Sequence, residues 1–350
     1  MAETSDERIM PKPLARLLRR VANRFLLDAG LARRHFEHNT GRVRILAYHG
    51  LVPDAFADRP WVPSHYVTVA QFERQMDLLA ELGRPIVQPL GTALDLLRTS
   101  RPLQRPVVCL TFDDGMADDA ELALPILERH GFTATFFLAT GHIDTEALQA
   151  NDIIRLLKHA IASGRVEPPT HGVCRSLLTQ PSFNKSTSAL AYRSELEAFW
   201  QASQAYADPD GIRAMSMMSW DQARRLRDAG MEIGAHTVDH VILSRETDLE
   251  RRRQIESSIQ AVKTNLNLDA VPFSYPNGQP EDFGGADLAV LQELNVPYAA
   301  TTIPGWNDAT TPRLALRRTC IGLHHSDRAF LAAVFGLLDQ PTGALERKSA

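Results

Sequence analysis

Cysteine is scarce in this chain of 350 residues. The three present, Cys109, Cys174 and Cys320, are widely spaced and odd in number, which excludes a disulfide framework or a cysteine metal cluster as an organising device. Cys109 and Cys320 fall in apolar, strand-like runs, so buried thiols are expected. Long hydrophobic runs are also missing: no stretch approaches the roughly 20 apolar residues that span a bilayer. Met1 to Arg8 lack the basic start and apolar run of a secretory signal, so the expected location is cytoplasmic. Positive charge is not in excess either. The formal net charge is -4, whereas nucleic-acid-binding domains are normally basic, so no nucleic-acid partner is expected. What remains is an ordinary soluble composition, 44% hydrophobic and 23% charged, at a length that suits one large α/β domain or two smaller ones. There is no internal repeat.

Residues 1–41 read as a basic helical N-terminal extension. Leu14, Leu17, Leu18, Val21, Phe25, Leu26 and Leu27 recur near a 3.6-residue period over 13–36, and Arg16, Arg19, Arg20 and Arg24 occupy the other face. Such a helix can pack on its own domain or lie peripherally on the inner membrane surface. From residue 42 strands and helices alternate. Strands are expected over 44–50, 106–113, 132–138, 231–236, 271–275 and 298–302, with helices over 71–83, 118–130, 219–229, 248–266 and 286–294 between them. That rhythm predicts parallel strands covered by helices. Residues 141–218 break it with two helices, Asp152 to Ser163 and Ala189 to Ala205, around a polar stretch from Pro168 to Ser188. They are expected to form an insertion, either capping the barrel or decorating its periphery. Residues 341–350 read as a disordered tail.

The chemistry is concentrated at strand ends. Thr111-Phe112-Asp113-Asp114-Gly115 places two adjacent carboxylates after the apolar run Pro106 to Leu110. Successive side chains on a strand point to opposite faces, so the acids can serve one site only if the strand breaks here, and Gly115 permits that. Buried carboxylates call for a cation. Gly234-Ala235-His236-Thr237-Val238-Asp239-His240 supplies two histidines four apart after another apolar segment, and one carboxylate with two imidazoles is the three-ligand set of an open catalytic metal site. The second carboxylate is left to handle protons. His49 and Tyr275 also end expected strands, where the working groups of a (β/α) barrel lie.

These motifs resemble those of the polysaccharide deacetylases, the family-four carbohydrate esterases that share the NodB-homology domain. The resemblance covers roughly residues 43–335. Its elements are Thr111 to Gly115, His236 to His240, Phe273-Ser274-Tyr275-Pro276-Asn277-Gly278, and the flanking Met218-Ser219-Trp220 and Gly230 to Gly234. It implies a distorted (β/α) barrel of about seven strands, a catalytic domain over 42–340, and removal of N-acetyl groups from a sugar in a polysaccharide or a lipid-linked precursor. It implies Asp114, His236 and His240 as ligands of a divalent metal, zinc first, with cobalt or nickel as alternatives. Asp113 becomes the general base, and the backbone N–H of Asn277, next to Tyr275, helps to stabilise the oxyanion. Three features depart from the family pattern. The arginine that orients the base is missing near Ser274. Thr301 to Asn307 occupies the region of the aspartate–tryptophan motif. The late leucine–x–histidine motif is irregular, so the general acid is His49, in Tyr48-His49-Gly50, in preference to His324 or His325. Arg317 and Arg318 are expected to meet an anionic substrate group or to finish a strand at the surface. Trp61, His65 and Tyr66, in the loop after the first strand, are possible sugar contacts left without a role. His130, His142, His159 and His171 are expected to be solvated structural or loop groups. A silent glycan-binding or scaffold protein, a sugar deformylase and an O-deacetylase are the competing functions.

Overall fold

The computed structural model describes residues 30–83, 86–99, 103–180 and 187–339. The expected amphipathic helix over 13–36 lies outside them for all but its end, where Leu31–Glu37 (α1) is helical, and the tail over 341–350 lies outside them entirely. Six residues of strand, Val43–Tyr48 (β1), are buried on both faces, as in a parallel sheet covered on both sides. A small ribbon, Leu51–Val52 (β2) with Val67–Thr68 (β3), leads into the helix Val69–Glu81 (α2). That helix opens with a capping box: Thr68 accepts from the Gln71 N–H, and the Gln71 side chain returns to the Thr68 N–H, which satisfies two otherwise orphaned donors. After Leu90–Leu96 (α3) comes the second fully buried strand, Val107–Phe112 (β4).

The helix expected over 118–130 begins as one π-helical turn, Asp119–Ala123, and continues as Leu124–His130 (α4), ended by Gly131 at φ 64°. Ala134–Leu138 (β5) follows. Beyond the inserted segment, Ser219 and Gln222 form a second capping box at the start of the helix Trp220–Asp228, and Glu232–Ala235 (β6) follows. The helix Asp248–Leu266 has the expected bounds. The next two strands are shorter than expected, Phe273–Ser274 (β7) and Ala299–Ala300 (β8). Pro272 and Pro276 carry no N–H to extend the β7 ladder. Thr319–Cys320 (β9) is the last strand, followed by the helix Asp327–Val334.

The seven-stranded sheet runs β8-β7-β6-β5-β4-β1-β9, every pairing parallel. It curls into the expected distorted barrel, and one segment joins its two edges. Leu316 N–H donates to Ala299 O at 2.9 Å and Thr301 N–H to Leu316 O at 2.8 Å, on the β8 side. A few residues later β9 pairs with Leu46 and Ala47 of β1. Parallel register then decides what meets at the carboxyl end. Tyr48 lies opposite Phe112, so the next residues, His49 and Asp113, emerge side by side. Leu138 lies opposite Ala235 and Ala235 opposite Phe273, which brings His236 level with Ser274.

The insertion folds on its own apolar cluster. Ala150–Ala162 (α5), Gly172–Thr179 (α6), Arg193–Ser203 (α7) and Pro209–Ala214 (α8) surround Leu148, Ile153, Leu156, Leu157, Trp200 and Met215; the helix Trp220–Asp228 is therefore α9. Two expectations are corrected here. The polar stretch holds a helix, α6, whose Cys174, Leu177 and Leu178 are buried. The second inserted helix starts at Arg193, after a single 3-10 turn at Ala189–Ala191. Trp61 and Tyr66 are fully buried in this cluster, so they hold the insertion to the barrel and offer no face to a sugar. His142 is also buried, only 3% exposed, against its expected place in solvent. No helix among the described residues is long and apolar enough to cross a membrane.

Candidate active site

The strand does break where the acids require it. β4 ends at Phe112, and Asp114 and Gly115 adopt φ of 80° and 83°. This turn lets Asp113 and Asp114 address one cavity from adjacent positions. Left-handed backbone at a residue other than glycine costs about 1–3 kcal/mol, and it recurs here: Asp114, Thr237, His240 and Asn277 all have positive φ and all follow sheet strands. Backbone strain therefore accumulates at this end of the barrel.

Asp113 is buried against Arg318, and this overturns two expectations. The orienting arginine absent near Ser274 comes instead from the residue before β9, and Arg318 neither reaches the surface nor faces an open substrate site. Its Nη1 donates to Asp113 Oδ1 at 2.8 Å and to Thr111 Oγ1 at 3.0 Å. Its Nη2 donates to Asp113 Oδ2 at 2.6 Å and to Ser274 Oγ at 2.8 Å, and its Nε to Thr301 O at 2.7 Å. All five guanidinium donors are thus used. Ser274 Oγ passes the contact on, donating to Asp113 Oδ2 at 3.3 Å. Burial pushes the Asp113 carboxyl up, but Arg318 and then His236 outweigh it, and the net shift is downward. The carboxylate is held ionised and in one orientation.

Asp114, His236 and His240 present one carboxylate oxygen and two imidazole nitrogens within 4.8 Å of one another. The His236 Nδ1 lies 2.8 Å from Ser274 O. A carbonyl only accepts, so Nδ1 donates there, and the neutral ring would turn the Nε2 lone pair toward Asp114. That nitrogen is 3.5 Å from Asp114 Oδ1, and His240 Nε2 is 3.0 Å from the same oxygen. Neither nitrogen meets the oxygen with hydrogen-bond geometry, and Oδ1 is buried. A lone pair facing a buried carboxylate is unfavourable unless a cation lies between them. The donor set therefore fits a divalent ion, with mixed nitrogen and oxygen ligands suited to zinc and its neighbours. Burial raises the Asp114 carboxyl, but His240 and His236 more than offset it and hold it well below the usual range. Asp239, between the histidines, is not in this group. It accepts from Arg193 at 2.7 Å, Arg253 at 3.0 Å and Gln254 at 2.6 Å, which ties the ligand loop to α7 of the insertion and to the helix Asp248–Leu266 (α10).

These groups form the floor of a cavity of about 860 Å³. His49, His65, Asn277, Gln279, Thr302 and Cys320 also line it. The His49 and His65 rings meet edge to face at 4.7 Å between centroids, and His49 Nδ1 is buried without a hydrogen-bond partner. Burial lowers the proton affinity of His49, with Asp114 and Asp113 opposing; it lowers that of His65 to about 3. The sequence offered His65 only as a sugar contact, on its loop position alone; it lies between β2 and β3. His324 and His325 do not line the cavity; His325 Nδ1 instead accepts from the Gly322 N–H at 3.1 Å. Asn277 sits in the Pro276-Asn277-Gly278 turn at φ 61°, with its amide tied to Asp282. Tyr275 is a correction. Ser274 faces Asp113, so by alternation its neighbour faces away; the Tyr275 ring stacks on Phe283 at 4.1 Å and its hydroxyl donates to Leu314 O. It supports the turn from behind. The insertion lines the cavity too, through Asp152, Arg155, Lys158, His159, Ser188 and Tyr192 among others, and so walls the site.

Residues 100–299 match the polysaccharide deacetylase family. The putative polysaccharide deacetylase YxkH of Bacillus subtilis (strain 168) is 34% identical over 267 residues, covering 75% of this chain and 68% of that protein. Among solved structures, the fold is similar to that of the Streptococcus pyogenes deacetylase PplD, with a TM-score of 0.55 and 19% identity over 85% of this chain and 99% of that chain. IcaB from Ammonifex degensii has a TM-score of 0.53 and 16% identity, covering 85% and 97%. A de-N-acetylase from Aggregatibacter actinomycetemcomitans has a TM-score of 0.55 and 16% identity, covering 83% and 99%.

Proposed function

The chain belongs to the polysaccharide deacetylase family, and from that premise we propose that it is a metal-dependent hydrolase removing N-acetyl groups from a sugar of a polysaccharide or a lipid-linked precursor. The observation that carries this reading is the convergence of Asp114, His236 and His240 in the same cavity as an ionised Asp113 clamped by Arg318. A divalent ion held by those three residues, zinc being the best match to the donor set, would polarise the amide carbonyl and make water a stronger acid.

The protein's own residues divide the remaining work. Asp113 accepts the proton of the attacking water, and Arg318 keeps that carboxylate deprotonated and aimed. His236 is oriented by Ser274 O, so its Nε2 is pre-set as a ligand. The backbone at Asn277, in its strained turn, is placed to donate to the developing oxyanion. His49 is the proton donor to the departing amine. Its burial weakens proton affinity, so its imidazolium is a stronger acid than that of a solvated histidine. Acetate release from N-acetylated oligosaccharides, assayed with and without added zinc, tests the reading. Metal-dependent acetate release lost in Asp113→Asn supports it; equal release in Asp113→Asn overturns the role given to this carboxylate.

A further inference from the structure

The inserted helix α5 lays two cations, Arg155 and Lys158, along the cavity. Asp152, Arg155 and His159 recur at helical spacing and line it, with Lys158 beside them. The helix leads away from the metal ligands. Asp152 feels Arg155, then Asp114 and His240; Arg155 acts on His65 and Tyr66; and Lys158 feels Arg155. At a rise of 1.5 Å per residue, Arg155 and Lys158 lie about 5 and 9 Å along the axis from Asp152, the scale of one to two sugar rings.

Among the described residues neither cation makes an ion pair, although Arg155 feels the charge of Asp152 one turn away. Among the described residues, no carboxylate comes within 4 Å of Arg155 or Lys158. Arg155 Nε is buried with no acceptor, and Lys158 Nζ meets only Gln180 O, at 2.7 Å. The contrast with Arg318, whose five donors are all used, is direct. The described lining holds three acids: Asp113 is paired, Asp114 belongs to the ligand set, and Asp152 is itself buried. Arg245, in the turn after His240, lines the cavity as well. Two like charges at adjacent turns, one with a desolvated donor, repel each other unless an oxyanion joins them.

We propose that Arg155 and Lys158 form a subsite for an oxyanion, phosphoryl or carboxylate, carried by the N-acetylated glycan one to two residues from the scissile amide. This rests on the deacetylase reading and adds that the substrate is an anionic glycan. A neutral sugar would leave the Arg155 donor desolvated and unsatisfied, so the subsite selects by charge as well as by shape.

Direct binding separates this proposal from the deacetylase reading, because it requires no turnover. Affinities of the full chain would be measured calorimetrically for the disaccharide of N-acetylglucosamine, for its 1-phosphate, and for a disaccharide of glucuronate and N-acetylglucosamine. One or both charged sugars should bind about tenfold or more tighter than the neutral one, from charge-assisted bonds to Arg155 and Lys158. Preference for the phosphate identifies a phosphoryl source, and preference for the uronate a carboxylate source. The preference should fall to about one in R155Q/K158Q and return in part in R155K, which retains the charge and guards against misfolding. Equal affinity for all three sugars in the wild type, or a charge preference that survives R155Q/K158Q with a wild-type circular dichroism spectrum, overturns the subsite.

Discussion

The floor and the wall of one cavity are built on opposite principles. The floor consists of strand ends, where sheet register fixes which residues are neighbours and the charges of Asp113 and Arg318 are paired. Arg318 spends five donors, Asp113 receives two of them, and Asp114 and the histidines share one centre. The wall consists of inserted helices on a separate apolar cluster, and among the described residues its Arg155 and Lys158 line the cavity without an ion pair. A saturated, rigid floor suits bond breaking, which tolerates little displacement. An unsaturated wall suits choosing what is brought there. The two meet at Asp239, which sits between the metal histidines yet is gripped by Arg193 of the insertion.

If this division is right, substitutions in the floor should abolish chemistry and those in the wall should change selection or stability. The largest effect is expected for His236→Ala, which removes a ligand: elemental analysis should find the metal gone and acetate release at background. Next comes Asp113→Asn, expected to keep the metal and lower kcat by about 10²–10⁴-fold; a kcat within a few-fold of wild type would place the base elsewhere. Arg318→Lys keeps the charge but cannot reproduce a fork bound at two oxygens. Removing a partner from a buried pair typically costs about 3–5 kcal/mol, so denaturant unfolding should show a loss of that order or somewhat less, along with reduced kcat. An unchanged unfolding midpoint would mean the pair contributes nothing to stability.

The smallest effect belongs to the wall. Burial pushes the Asp152 carboxyl up to about 7, with Arg155 opposing and Asp114 reinforcing the rise. Its value in an unfolded chain is about 4. Between these values the folded state holds a proton that the unfolded state has lost, so stability falls as pH rises from about 4 to about 7 and the loss is complete above that. Asp152→Asn, which cannot ionise, should therefore gain on the wild type by on the order of 1–3 kcal/mol between pH 4 and pH 8. Parallel unfolding curves across that range would show that the carboxyl is not strained.

Most of the floor was legible because its chemistry is written contiguously. Adjacent acids after a buried strand, and two histidines four apart after another, need no partner from elsewhere to be noticed. Arg318 was harder to read, since it lies 205 residues from Asp113. A signal existed in the apolar setting of Leu314-Ala315-Leu316 before it and Cys320-Ile321 after it: an arginine in a buried strand must find a carboxylate. Tyr275 was misplaced for want of applying alternation beyond Ser274. The wall was the least legible, because its helices pack on one another and on Trp61, and no sequence period reports which face of an inserted helix turns toward a distant strand end.

The central claim is that Asp113 and Asp114, adjacent in sequence, do different work because the backbone turns between them. The most direct test is the metal content of Asp113→Asn and Asp114→Asn, purified side by side with the wild type. The expected result is about one equivalent of divalent metal in Asp113→Asn, as in the wild type by the one-site geometry, and an empty Asp114→Asn. Equal metal loss in both variants, or full retention in Asp114→Asn, would contradict the division of labour.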